Sequence, residues 1–287
     1  MITPLVGGRG RSFQQEVVAA LRRAGFEMPS VDLDELDLDD CRACRRVIAR
    51  SRADIVIDCS GADDVARRPE LPRPDELTAC EHLATAAAEE GAHTVLISSA
   101  SVFEGEPGGP RIESDPPTPH SLATNALAAA ERAVARANPN HTIVRSARLY
   151  GPMWNSPFDE VIARARLTDP LVVEPRTIPP PTYGPHLASV LVSLVRKPCH
   201  GIIHRVAGGT CDELDLIRTV LRVAELTYGV EAEPTAPARD GASQTITLAS
   251  CRDELPAIPH WRIGLRACAL ERNRMVSQEY ARRAPAG

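Results

Sequence analysis

Lysine is nearly absent from this chain: of 33 basic residues, Lys197 is the only one that is not arginine. Any chemistry that needs a lysine amine must use that residue or do without. No run comes near the roughly 18 consecutive apolar residues of a membrane-spanning helix. The opening Met1-Ile2-Thr3-Pro4-Leu5-Val6 lacks a basic region followed by a long apolar one, and does not read as a signal peptide. A net charge of −5 argues against binding a phosphate backbone, so neither nucleic acid nor membrane is an expected partner. Eight cysteines in 287 residues do not form a disulfide framework, and the expected location is the reducing cytoplasm. Cys41 and Cys44 form Cys-Arg-Ala-Cys without a second pair, so no metal is expected.

What is present is an alternation of apolar runs and helical patterns, the mark of a parallel α/β sheet. Strands are predicted at Ile2–Val6, Ala53–Ile57, His93–Ile97 and Thr142–Val144. Helices are predicted between and after them, at Phe13–Arg23, Asp40–Ala49, Asp75–Glu90 and Leu122–Ala137. The expected fold is a doubly wound, Rossmann-like sheet over 1–152, a nucleotide-binding domain, with a smaller substrate domain over 153–287. Within the latter, a helix near His186–Val195 and a strand at Gly201–Val206 place about 186–208 back on the main sheet. Thr210-Cys-Asp-Glu213 has the pattern of a capping box and predicts a helix start at Thr210.

The first strand runs into Gly7-Gly8-Arg9-Gly10-Arg11 and then a helix. Glycines there let backbone approach a pyrophosphate, whose charge meets the helix N-terminus. Asp32 opens an acidic stretch about twenty residues on, where a ribose-binding carboxylate belongs. Asp37, Leu38, Ser60 and Gly61 complete the expected cofactor set. Arg9 and Arg11 favour NADP and the acidic stretch favours NAD, so both stay open. Phe13 stands where a third small residue would let helix and sheet pack closely, and the expectation is weak or lost cofactor binding.

Several stretches together resemble the extended short-chain dehydrogenase/reductase superfamily, and within it the dTDP-4-dehydrorhamnose reductase family. They are Arg52 to Gly61, Ser98-Ser99-Ala100-Ser101-Val102-Phe103, Arg145 to Gly151, Pro181-Thr182, Gly201 to His204 and Pro259 to Leu265. The resemblance implies a catalytic hydroxyl at Ser99 and a substrate surface including Ala100, Ser101, Arg148, Trp154, Asn155, Tyr183 and His186. It also implies a Tyr-x-x-x-Lys pair, in which tyrosine moves the proton and lysine holds the nicotinamide ribose. Tyr150, Tyr183, Tyr228 and Tyr280 are the four tyrosines, and none has lysine four residues later. The resemblance sets Ala123 and Leu127 at the two positions.

Without that pair, the expected activity is acid/base chemistry (elimination, isomerisation or cyclisation) on a small polar or sugar-nucleotide-like molecule. Ser99, Tyr150, His120, Glu113 and Asp115 are the candidate catalytic residues, beside a cleft expected to open at Ala123 and Leu127. One alternative is a non-catalytic NAD(P)-binding regulatory subunit or sensor. Another is an NAD(P)-dependent reductase of a 4-keto sugar nucleotide with a rebuilt proton donor. A homodimer is compatible with either.

Overall fold

The computed structural model describes residues 2–8, 11–29, 37–60, 74–104, 109–168, 170–173, 176–232 and 246–283. The chain begins β1 (Pro4–Gly7), α1 (Arg11–Arg23), α2 (Cys41–Ser51), β2 (Ile55–Asp58), α3 (Pro74–Glu89) and β3 (His93–Ser99). A short 3-10 turn (Ala100–Phe103) leads to α4 (Leu122–Ala137), β4 (His141–Ser146), β5 (Leu149–Tyr150) and α5 (Pro157–Ala165). Three short strands follow, β6 (Leu171–Val173), β7 (Thr177–Ile178) and β8 (Thr182–Tyr183), then α6 (Gly184–Arg196) and β9 (Gly201–His204). The rest is β10 (Ala207–Gly208), β11 (Cys211–Asp212), α7 (Glu213–Val223), β12 (Val230–Ala232), β13 (Ile258–His260) and α8 (Trp261–Arg283).

Among the described residues the main sheet has five strands in the order β1-β2-β3-β4-β9, every pair parallel. Strand residues alternate between its two faces. Val6, Ile55, Ile57, Val95, Ile97, Val144 and Ile203 face one core with Phe13, Val17 and Leu21 of α1 and Leu187, Leu191 and Val195 of α6. Leu5 and Val56 face the other way, onto Val47 and Ile48 of α2 and Leu83 of α3. Leu96 and Ile143 do the same against Ala84 of α3 and Val134 of α4. Helices therefore cover both faces, and the doubly wound expectation holds. The first core also takes in α5, α7 and α8 through Phe158, Ile217 and Trp261.

The start of α7 lies elsewhere than predicted. Asp212, not Thr210, caps α7, its side chain accepting from Asp215 N–H at 2.7 Å. Cys211 and Asp212 are drawn into an antiparallel pair with Ile178 and Thr177, which delays the helix. Glu213 pairs with Arg164 and Arg176 in place of the expected capping contact. The reciprocal capping box occurs instead at Ser121 and Thr124, opening α4.

Candidate active site

β1 delivers Gly7 and Gly8 to the carboxyl edge of the sheet. Gly8 has φ +102°, and a Cβ there would lie 2.5 Å from Asp58 Oδ1 and 2.7 Å from the Cys59 and Ser60 nitrogens. Glycine is thus required twice, for conformation and for space. Asp58 is buried, which pushes its pKa up, and it accepts from Ser60 N–H at 2.9 Å. α1 begins at Arg11 with no acidic residue in its first turn, so no side-chain carboxylate there competes with an anion for its positive end. The residues present fit a dinucleotide phosphate at this turn. Arg9, Gly10, Asp32 and Gly61 lie outside the described residues, as does the Arg11 side chain.

Two members of the expected cofactor set also have partners within the chain. Asp37 accepts from Asp39 N–H in the turn before α2. The Leu38 carbonyl meets His82 Nδ1, and its side chain packs against the α2–α3 core. Phe13 is fully buried in the main core, edge-on to Trp154 with ring centroids 6.2 Å apart.

Ser99 ends β3 at the carboxyl edge of the sheet, in register with Ser146 at the end of β4. Its Oγ accepts from Ser101 N–H at 3.2 Å and shares a hydrogen bond with Ser101 Oγ at 3.0 Å. Ala100 is buried within the short turn that Ser99 caps. The cleft expected beside it at the tyrosine–lysine positions is not open at Leu127. That side chain is buried with Val102, Phe103 and Ala128, and Ile246 and Leu248 pack over the group. The covering segment is tied down by Arg111, whose N–H donates to Thr247 O and whose carbonyl accepts from Ala249 N–H.

The nominated acids fasten loops. Glu113 accepts from the N–H groups of His204 (3.0 Å) and Cys251 (2.9 Å) and from the Ser250 hydroxyl. Burial alone would push its pKa up, but these hydrogen bonds hold it down to about 2, which is wrong for a proton donor at neutral pH. Asp115 accepts from Ile112 N–H at 2.9 Å, closing a turn.

Tyr150 lies inside the protein. It is buried between Tyr183, 5.4 Å away by ring centroids, and Gly264 of α8, and its hydroxyl has no partner among the described residues. Burial pushes its pKa far up. Tyr183 donates its hydroxyl to Glu271 Oε2 at 2.5 Å, and His186 sits edge-on to its ring. These aromatic residues lock α6 to α8 and do not present a phenol for proton exchange. Arg148 and Asn155 both have positive φ, +41° and +47°, in the segment that leaves β4, and Arg148 Nη2 lies 3.7 Å from Glu160. His120 is exposed just before α4, its N–H donating to Thr124 Oγ1 and Glu104 its charged neighbour.

Sequence reasoning missed a buried group behind Ser99. Arg145 of β4 forms two hydrogen bonds to Glu131 of α4, and Ser98 donates to the same carboxylate. The signal was an arginine inside an apolar strand, which demands a buried acid.

The RmlD substrate binding domain family matches residues 3–273 of this chain. A dTDP-4-dehydrorhamnose reductase of Mycobacterium tuberculosis is 27% identical over 226 residues, 75% of this chain and 73% of that one. The spore coat polysaccharide biosynthesis protein SpsK of Bacillus subtilis is 26% identical over 287 residues, 95% and 99% of the two chains. Among solved structures, a dTDP-4-dehydrorhamnose reductase of Clostridium acetobutylicum superimposes with TM-score 0.79 at 23% identity, over 96% and 100% of the chains. The Bacillus anthracis reductase in complex with NADP gives 0.77 at 20% identity, over 94% and 99%. With that family matching nearly the whole chain, this protein belongs to the RmlD substrate-binding-domain family.

Proposed function

We propose that this protein binds a nicotinamide dinucleotide and a nucleotide-activated keto sugar at the carboxyl edge of the five-stranded sheet, and reduces the ketone. The observation that carries this reading is the Gly8 turn, packed so tightly on the end of β2 that only glycine fits. It stands at the first strand of a parallel sheet, where such folds receive a dinucleotide. The relatives named as reductases of dTDP-linked sugars support the same reading. It replaces the elimination, isomerisation or cyclisation reading, whose acids Glu113 and Asp115 are spent on loop anchoring.

A reduced nicotinamide supplies hydride when bound. The chain must supply orientation and a proton. Ser99 sits at the strand end where it can polarise the ketone. Of the nominated groups, His120 keeps an exposed imidazole with no hydrogen-bond partner among the described residues, and we assign it the proton. No lysine holds the ribose, so cofactor affinity is lower by about ten- to a hundred-fold than with that charge-assisted bond.

The test is NADPH or NADH oxidation by the purified protein with dTDP-4-keto-6-deoxy-D-glucose. Turnover is expected, with His120→Asn slower by about 10²–10⁴-fold. Cofactor binding without turnover on any keto sugar nucleotide would replace this reading with the regulatory-subunit one.

A further inference from the structure

Ser146 closes β4 beside Ser99, and the two are partners in the parallel register. Their neighbours settle which way they face. Ile97 and Val144 pack into the core shared with α1 and α6, whereas Ser98 and Arg145 turn to Glu131 of α4. Alternation along each strand therefore puts Ser99 and Ser146 on the α1 side, where β1 delivers the glycine turn.

The two hydroxyls differ in one respect. Ser99 Oγ is occupied by its own chain, through Ser101. Ser146 is 2% exposed, and its Oγ has no hydrogen-bond partner among the described residues. A buried hydroxyl gives up its bonds to water and normally regains them from protein. At the carboxyl edge of an open parallel sheet, a bound ligand is the natural source of the missing bond. The requirement for a neutral partner follows from burial. A phosphate taken into such a place would need a cation beside it; Arg145 is committed to Glu131 on the opposite face, and the guanidinium of Arg205, next to β4 in the sheet, to Ser250 and the His204, Arg252 and Leu255 carbonyls.

We propose that Ser146 is a ligand-contacting residue, its hydroxyl donating to a carbonyl oxygen carried in by the ligand. The oxygen is either that of a nicotinamide carboxamide or that of the keto sugar. The inference rests on the reductase reading above and assigns within that site a residue the sequence did not single out.

The experiment compares the parent with Ser146→Ala by calorimetric titration. The probes are NADPH, NADH, the matching nicotinamide-free ADP-riboses and dTDP-4-keto-6-deoxy-D-glucose. Thermal unfolding is followed without ligand. Ser146→Ala is expected to unfold at the parent's temperature or above, because no protein hydrogen bond is lost. A loss of about ten-fold confined to the dinucleotides with nicotinamide assigns the carboxamide; the same loss confined to the sugar nucleotide assigns the ketone. Equal affinities of parent and variant for every probe overturn this inference alone. A clear drop in the ligand-free unfolding temperature also overturns it, since the hydroxyl then has a protein partner. A parent that binds none of the probes overturns the reductase reading, and this inference with it.

Discussion

Arg145 and Glu131 form a bidentate ion pair inside the protein, Nε to Oε1 at 2.9 Å and Nη2 to Oε2 at 2.7 Å, with side-chain exposures of 0% and 4%. The pair joins β4 to α4 directly behind the strand ends that carry Ser99 and Ser146. Ser98 donates to Oε1 at 2.6 Å, so the carboxylate also holds β3. Two further groups lean on the arginine: the Phe103 ring under the guanidinium at 4.9 Å, and His204 Nε2, 3.4 Å from Nη1.

Removing one member of such a pair leaves the other charge buried and unpaired, at a cost of about 3–5 kcal/mol. Glu131→Ala should lose that much stability in urea unfolding. The triple change Ser98→Ala, Glu131→Leu and Arg145→Met should recover much of it, because no charge is then buried unpaired and only His204 Nε2 loses its partner. If the triple variant is no more stable than Glu131→Ala, packing rather than charge pairing holds this layer.

Gly8→Ala tests the cofactor turn. The new methyl would stand 2.5 Å from Asp58 Oδ1 and within 2.7 Å of two backbone nitrogens, at φ +102°. A left-handed non-glycine residue costs about 1–2 kcal/mol before any clash. The variant should unfold at a lower temperature and lose measurable binding of NADPH and NADH. Binding at parental strength would show that the turn does not receive the dinucleotide.

Acid should destabilise the protein in two stages. His204 and His93 are buried, which lowers their pKa values below the ordinary 6.5. The unfolded chain then takes protons that the folded one refuses, so stability falls as pH drops below about 6.5. Glu113, held down to about 2 against an ordinary 4.5, contributes stability that is complete above 4.5 and lost as pH falls towards 2. Urea midpoints measured from pH 7 to 3 should show both stages, and Glu113→Gln should be less stable at pH 7 with the gap narrowing below pH 4.5. A gap that stays constant with pH would mean the carboxylate's charge contributes nothing.

The strands of the main sheet were legible because local pattern decides them: Ile55-Val56-Ile57 is apolar on both faces, and both faces are covered. The start of α7 was not. Thr210 and Asp212 are both cap-forming residue types, and the choice fell to Thr177 and Ile178, more than thirty residues earlier, which extend the strand through Asp212. Glu113 reads as a candidate proton donor until Ser250 and Cys251 are brought to it from the far end of the chain. Ser146 is invisible without the register that sets it beside Ser99. Long-range pairing, not misread propensity, is common to all three.

The cap correction can be checked directly. Asp212→Ala should cost about 0.5–2 kcal/mol through loss of the bond to Asp215 N–H, whereas Thr210→Ala should cost little. Thr210 is used through its backbone carbonyl, which accepts from Trp261 Nε1 at 2.9 Å and survives the change. Equal losses in urea unfolding would return the cap to Thr210.

The contrast between Tyr150 and His120 separates structure from chemistry. The Tyr150 hydroxyl is buried without a partner among the described residues, against the ring of Tyr183 and the backbone of Gly264. An unpaired buried hydroxyl costs stability, and phenylalanine fills the same space without one. Tyr150→Phe should therefore leave the unfolding free energy unchanged or raise it by about 1 kcal/mol, with turnover unaltered. His120 is exposed, so His120→Asn should not change stability, yet it should cut turnover by about 10²–10⁴-fold if it supplies the proton. Kinetics on dTDP-4-keto-6-deoxy-D-glucose with both variants decide the matter. Should Tyr150→Phe be the slow variant, the phenol must reach substrate through a rearrangement of α8, and the proton belongs to Tyr150.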